Sequence, residues 1–370
     1  MVTYPTEWAS MQLRDIGYIQ MCRRIFQNQT KTYGAIPFYK ISTFGGKADA
    51  YISQELYEKY KLLYPYPEKG DVLISAAGTI GKTVIFDGKD SYFQDSNIVW
   101  LKVDKDAIDR KFLWWFYRSF PWNALEGTTI QRLYNSIILD TEIHLPEKPE
   151  QEEIARTLSR FDIYIDDLTE LIEKKKGIRD GALKDLISGR IRLDGYDYEW
   201  QEGKIGDILK ILHGKNQRAV ESFNGKYPIL GTGGIIGKAT EFLCDWECVL
   251  IGRKGTIDNP MYMNTPFWTI DTLYYSKPAD NQCVKWQYYL FCTIDWHDYT
   301  ESSGRPSSAK KVIEAIPIKI PQYEEQIKIA AVLTAMDEEI RDLETEREKV
   351  IQIREGAMDD LLTGRVRLTK

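Results

Sequence analysis

No apolar run in the chain approaches 20 residues, and no basic-then-apolar leader opens it. Neither a membrane span nor a secretion signal is therefore expected. Cysteine is sparse and odd in number. Cys22, Cys244, Cys248, Cys283 and Cys292 fit reduced thiols in a cytoplasm better than a disulfide framework. Cys244 and Cys248 have no second ligand pair at zinc spacing, and His144, His213 and His297 are far apart, so buried thiols are expected and no metal site.

The signatures of catalysis are also missing. Ser75 to Thr83 (SAAGTIGKT) is close to a phosphate-binding loop, but Ala76 stands where that motif needs glycine, and the residues after Thr83 read as strand instead of helix. The glycine cluster Gly231 to Lys238 fails likewise at Thr232, and its glycines suit a tight turn. Asp258 to Tyr262 (DNPMY) approaches an amino-methyltransferase motif, yet Met261 replaces the second proline and no glycine-rich cofactor loop precedes it. With no nuclease carboxylate and lysine set and no nucleophile elbow, the chain is expected to be non-catalytic and to hold no cofactor of its own.

Positive charge is not in excess. The net charge of −6 argues at face value against a nucleic-acid partner. Its distribution alters that argument, because residues 1–144 carry 17 basic and 16 acidic side chains and residues 194–319 carry 14 and 16, so the acidity sits mostly elsewhere.

The chain does contain one stretch twice. Leu145 to Leu193 recurs without a gap as Ile320 to Leu368, with 22 of 49 aligned pairs identical. In the first copy Ile154, Leu158, Phe161, Ile165, Leu168 and Ile172 step by four and three, the spacing of a helix that packs on another helix. The second copy repeats this with Ile329, Leu333, Met336, Ile340 and Leu343, places Arg347 where the seam expects an apolar residue, and recovers at Val350. Pro149 and the acidic run after it suit a helix start, and Gly189 and Gly364 suit the stops. Each copy then predicts a helix of about 40 residues, roughly 60 Å long. Gly177, Gly181 and Gly356 would weaken its distal turns by about 1 kcal/mol each, so a bend is expected there.

Residues 1–144 and 194–319 resemble each other more distantly. Trp8, Leu13, Asp15 and Ile16 match Trp200, Ile205, Asp207 and Ile208 at a constant offset, and GDVLISAAGTIGK has a counterpart in ECVLIGRKGTIDN. In each segment β-rich stretches follow, then an aromatic helix (Lys111 to Phe120, Val284 to Phe291), a loop, and a last strand ending in proline. Divergent domains beside more similar helices fit two readers of different ligands on shared docking elements.

Nearly the whole chain resembles the specificity subunits of type I restriction–modification systems. The resemblance rests on the W-x4-L-x-D-I opening of each half, YPILGTGGIIGK, GDVLIS with GTIGK, and above all LP, EQ-x2-IA-x2-L and GR-x-RL in the repeat. It implies a mixed α/β (α+β) fold with two target-recognition domains (1–144 and 194–319) separated by two long antiparallel coiled-coil helices (145–193 and 320–370) in a pseudo-two-fold internal repeat. It implies a bipartite, asymmetric double-stranded DNA site, two docked methyltransferase subunits that hold the S-adenosylmethionine and methylate adenine N6, added motor-nuclease restriction subunits, and work in a prokaryotic cytoplasm. A helix of roughly 60 Å exceeds one turn of B-DNA, about 34 to 36 Å, so two readers about a turn apart are expected.

The candidate DNA contacts are polar, basic loops in matching places. In the first domain these are Arg23, Arg24, Gln27, Asn28 and Lys31, and in the second Lys215, Asn216, Gln217 and Arg218. A further matched pair of loops carries Gln131 and Arg132, and Arg305, Ser307, Lys310 and Lys311; Lys82, Arg253 and Lys254 flank the Gly-Thr-Ile turns. The alternative is a coiled-coil scaffold with two peptide-binding domains, which would dimerise through the seam instead of capturing a methyltransferase. A fused enzyme is the third reading, distinguished by cofactor binding to the isolated chain.

Overall fold

The computed structural model describes residues 3–104, 106–122, 132–299 and 309–368. The chain forms two compact units, Met1–Asp167 with Glu346–Lys370, and Leu168–Thr345. Each contains a globular segment and parts of both long helices, so the units cut across the linear order of domain and helix.

The first unit runs β1 (Ala9–Gln12), α1 (Leu13–Ile16), β2 (Gly17–Gln20), β3 (Ile36–Tyr39), β4 (Ala50–Ile52), α2 (Gln54–Leu63), β5 (Val72–Ser75), β6 (Thr83–Ile85), β7 (Tyr92–Phe93), β8 (Ile98–Val103), α3 (Arg110–Ser119), α4 (Asn135–Asp140) and β9 (Glu142–Leu145), then enters α5 (Lys148–Ser188). The second runs β10 (Gln201–Lys204), α6 (Ile205–Ile208), β11 (Leu209–His213), β12 (Tyr227–Gly231), β13 (Gly234–Ala239), β14 (Cys248–Gly252), β15 (Met261–Met263), β16 (Trp268–Thr269), β17 (Leu273–Pro278), α7 (Val284–Thr293), α8 (Lys310–Glu314) and β18 (Pro317–Ile320), then enters α9 (Tyr323–Leu362).

The two topologies match strand for strand. Sheet order β2-β8-β5-β6 corresponds to β11-β17-β14-β15, β4-β3-β7 to β13-β12-β16, and β1-β9 to β10-β18. In both three-stranded sheets one pair is parallel, Phe38 beside Tyr92 and Ile229 beside Trp268. The runs predicted as buried strands are the fully buried β5 and β14, and α3 is capped by the Asp109 carboxylate, which accepts from Phe112 N. The short helices α1, α4, α6 and α8 go beyond the elements expected from the sequence, and among the described residues α2 has no counterpart in the second unit.

Each core takes in both long helices. In the first unit Ile154, Leu158, Leu361 and Leu362 pack with Val72, Phe112 and Trp115. In the second, Leu183, Ile187, Ile329 and Leu333 pack with Ile251, Trp286 and Phe291. Full burial of such a side chain contributes about 2 kcal/mol. The start of one helix thus meets the end of the other, which makes the pair antiparallel within each unit.

Away from these ends the apolar seam, where Leu168, Ile172 and Ile340 stay buried, is accompanied by ion pairs. Arg354 donates to Asp162 at 2.7 Å in the first unit, and in the second Arg179 meets Asp337 at 3.1 Å and Lys175 meets Glu339 at 2.6 Å. These pairs span the glycine turns, and both helices run through Gly177, Gly181 and Gly356 unbroken. Gly189 and Gly364, with φ of 71° each, end them as expected. Among the seam residues Ile154, Leu158, Leu168, Ile329, Leu333 and Ile340 are buried, whereas Phe161, Ile165, Met336 and Leu343 are half-buried. Arg347 is also half-buried and lies where α9 passes from one unit into the other.

Candidate nucleic-acid interface

In the first unit several distant loops are tied together. Arg24 pairs with Asp95 at 2.9 Å, while Gln94 accepts from Ile41 N and so fixes the β3–β4 loop to the same turn. Gly78, in the left-handed region at φ 65°, lies against Ile41, and Ala77 pairs through the backbone with Arg132. Lys82 closes that turn by donating its N–H to Ser75 Oγ at 2.8 Å, and its side chain reaches Gly45. Arg24, Lys82 and Arg132, far apart in sequence, therefore border one group of loops.

Gln27 and Asn28 form a 3-10 turn, and Arg23 lies over the Tyr64 ring. Lys31 pairs through the backbone with Tyr51 and lines a cleft of 540 Å³ with Gln27, Lys40, Asp49 and Gln94. Sequence reading missed Lys40 and Gln94, because single polar residues beside strands carry no pattern; the run Gln94 to Asn97 between two apolar strands is the one signal available. Gln131 lies outside the described residues.

The second unit gathers its loops in the same way. Lys215 N donates to Thr269 O at 2.8 Å and its carbonyl accepts from Trp268 Nε1. Gly214 is required there, since a Cβ would lie 1.9 Å from Ile270 O. Asn216 accepts from Arg218 N, a local turn that leaves Asn216 and Arg218 exposed and Gln217 half-buried. Arg253 donates to Asp271 O and lies over Tyr274, and Arg253 and Lys254 both donate backbone N–H groups to Thr272 O. Gly255 approaches Thr232, so the Gly-Thr-Ile turn and the glycine hairpin meet. Lys215, Arg253 and Lys254 thereby flank one turn, Thr269 to Thr272.

One reading needs correction. Lys310 and Lys311 begin α8 instead of lying in a loop, and Lys310 turns along that helix to Glu314 at 3.6 Å. Helix i,i+4 pairing is available to this short segment because Ile313 anchors it in the core. Arg305 and Ser307 lie outside the described residues.

Repeat residues that carry no DNA-contact reading form a clamp in each unit. Arg367 holds the buried Glu150 carboxylate with two bonds of 2.8 Å and lies over the Trp8 ring. Arg192 holds Glu325 at 2.7 and 2.8 Å and lies over Trp200, whose Nε1 also donates to Glu325. The Arg367 guanidinium, helped by the Leu368 N–H, holds the Glu150 carboxyl below its ordinary value. The adjoining glutamines serve the domains: Gln151 accepts from Asp109 N and Gln326 from Cys283 N. EQ and GR-x-RL are thus the two halves of one joint.

Cys244 and Cys248 are buried in a satellite core with Leu230, Leu250 and Phe267, their sulfurs 3.9 Å apart. The Cys244 thiol and burial both push the Cys248 thiol up, so it stays protonated. No helix among the described residues is long and apolar enough to cross a membrane.

Two domains of one topology, with different basic loops at matching places, define a protein with two recognition surfaces. The family of type I restriction modification DNA specificity domains matches twice, over residues 5–177 and 198–352. A protein of Haemophilus influenzae described as a type I restriction enzyme specificity subunit is 52% identical over 160 residues, which is 43% of this chain and 42% of that protein. A type I specificity subunit from Methanocaldococcus jannaschii is 25% identical over 98% of this chain and 95% of its own length. The crystal structure of a type I restriction–modification S subunit from M. genitalium shares the fold, with a TM-score of 0.65 at 20% identity over 98% of this chain and 97% of the other. The chain belongs to the type I restriction–modification DNA specificity family and has two DNA-recognition domains.

Proposed function

We propose that this chain is the non-catalytic reader of its complex, and that its two domains recognise the two unlike halves of a bipartite, asymmetric duplex site. The observation that carries this is the pairing of one topology with two different loop sets, Arg23 to Lys31 against Lys215 to Arg218, at the same place after β2 and β11. Domains that read the same half-site have no reason to differ there. Phosphate contact falls to Lys82, Arg132, Arg218, Arg253 and Lys254, and base reading to the loops that hold Gln27, Asn28, Asn216 and Gln217.

The long helices serve as the docking surface for two methyltransferase subunits, with motor-nuclease subunits added for cleavage. S-adenosylmethionine then binds in the methyltransferase, and the complex works in a prokaryotic cytoplasm. With a net charge of −6, this chain leaves part of the phosphate neutralisation to its partners. Methylome sequencing of cells carrying this chain and its methyltransferase tests the reading. A split, asymmetric methylated motif is expected; a symmetric, unsplit or absent motif overturns it.

A further inference from the structure

Tyr33 and Phe223 are the most exposed aromatic side chains of their units among the described residues, at 76% and 96%. They occupy the same place. Tyr33 stands five residues before Phe38 and Phe223 six before Ile229, and Phe38 and Ile229 are the equivalent partners in the parallel strand pairs. Two residues ahead of each aromatic an isolated backbone bridge pins the loop to the equivalent strand, Lys31 to Tyr51 beside β3 and Glu221 to Ala239 beside β12. Close behind each comes a glycine pressed against that same strand: a Cβ at Gly34 would lie 2.8 Å from Tyr51, and one at Gly225 would lie 2.6 Å from Ala239. Gly225 N also donates to Ser222 O, which makes Phe223 the tip of a tight turn.

An aromatic ring in water on a pinned turn contributes nothing to the core, and its recurrence in two diverged domains is not an accident of one loop. Both loops carry cations assigned above to DNA, Lys31 two residues before Tyr33 and Arg218 five residues before Phe223, and Lys226 adds a further positive charge three residues after Phe223. We infer that Tyr33 and Phe223 are equivalent apolar probes that pack against the bases of duplex DNA, one in each half-site. Exposed rings beside cations suit a partner that offers phosphates and a stack of flat apolar surfaces together, and pinned turns present them without an ordering cost. The inference rests on the reading of both domains as DNA readers.

The test uses the complex of this chain with its methyltransferase and a duplex carrying the motif found by methylome sequencing. Equilibrium binding is measured across salt concentrations for wild type, Tyr33→Ala, Tyr33→Phe, Phe223→Ala and Phe223→Leu. Each alanine variant is expected to bind on the order of tenfold more weakly, with an unchanged slope of log K against log salt. Tyr33→Phe and Phe223→Leu should recover most of that loss, and all variants should melt like wild type. Alanine variants within twofold of wild type overturn the inference, as does a loss expressed only as a shallower salt slope. If wild type itself fails to select the motif duplex, the DNA-reader assignment falls first; if wild type selects it and the variants match, only the role of the two rings falls.

Discussion

Arg367 and Glu150 stand 217 positions apart in the chain and meet through two parallel bonds of 2.8 Å, with the carboxylate buried. The geometry is bidentate, the strongest arrangement available to this pair. Arg192 and Glu325 repeat it in the second unit. Removing one partner leaves the other buried charge uncompensated, which costs about 3 kcal/mol. Arg367→Ala and Arg192→Ala are each expected to lower stability by about that amount in denaturant titrations, and a loss within 0.5 kcal/mol for both would refute the role of the clamp.

The same clamp sets a pH dependence. Glu150 has a folded pKa depressed below its ordinary 4.5. Such a group adds stability that is fully present above the unfolded pKa and is lost as pH falls through the folded one. Wild type should therefore lose stability on acidification below about pH 4.5, while Glu150→Gln, weaker at neutral pH, should show a shallower decline over that interval. Parallel stability curves for the two proteins would contradict this.

Gly214 sets the height of Lys215 above the sheet. A Cβ there meets the Ile270 carbonyl at 1.9 Å, and backbone cannot yield as a side chain does. Gly214→Ala is expected to cost about 2 kcal/mol by overpacking and to displace the Lys215 loop. Differential scanning calorimetry and half-site binding together check it.

Arg218 and Arg24 separate contact from support. Arg218 lies exposed on its turn, so Arg218→Ala should weaken DNA binding and reduce the salt slope by about 0.9, the share of one neutralised phosphate. Arg24 is engaged by Asp95 at 2.9 Å, so Arg24→Ala should reduce the slope by less while loosening the turn at Gln94. Equal slopes for Arg218→Ala and wild type would remove Arg218 from the interface.

Because each loop set belongs to one domain, replacing Lys215, Asn216 and Gln217 by alanine should change or abolish selectivity at one half of the methylated motif and leave the other half intact. Methylome sequencing reads both halves at once, and an unchanged or doubly altered motif would reject the assignment.

The helical repeat was legible because its information is local and periodic. Ile154, Leu158, Ile329 and Leu333 announce a buried stripe, and duplication raises that signal above noise. The domains were legible as a repeated order of elements, since β5 and β14 are continuous apolar runs. The short helices escaped because four to six residues span fewer than two turns, too few for a recurring i, i+3, i+4, i+7 pattern, and Lys310 and Lys311 read as loop for that reason. The Arg347 position was legible as a departure from the seam, though its place at the passage of α9 between units was not.

By itself the sequence determined the two-fold plan, the two long helices with their glycine stops, and the family, because each depends on residues within a few turns of one another or on direct self-similarity. Only the tertiary structure decided that EQ and GR-x-RL are two halves of one clamp, that Arg24, Lys82 and Arg132 border the same loops, and that Tyr33 and Phe223 are equivalent. Those relationships join residues tens to hundreds of positions apart through strand pairing and ion pairing, and no local pattern encodes which distant partner a charged side chain will meet.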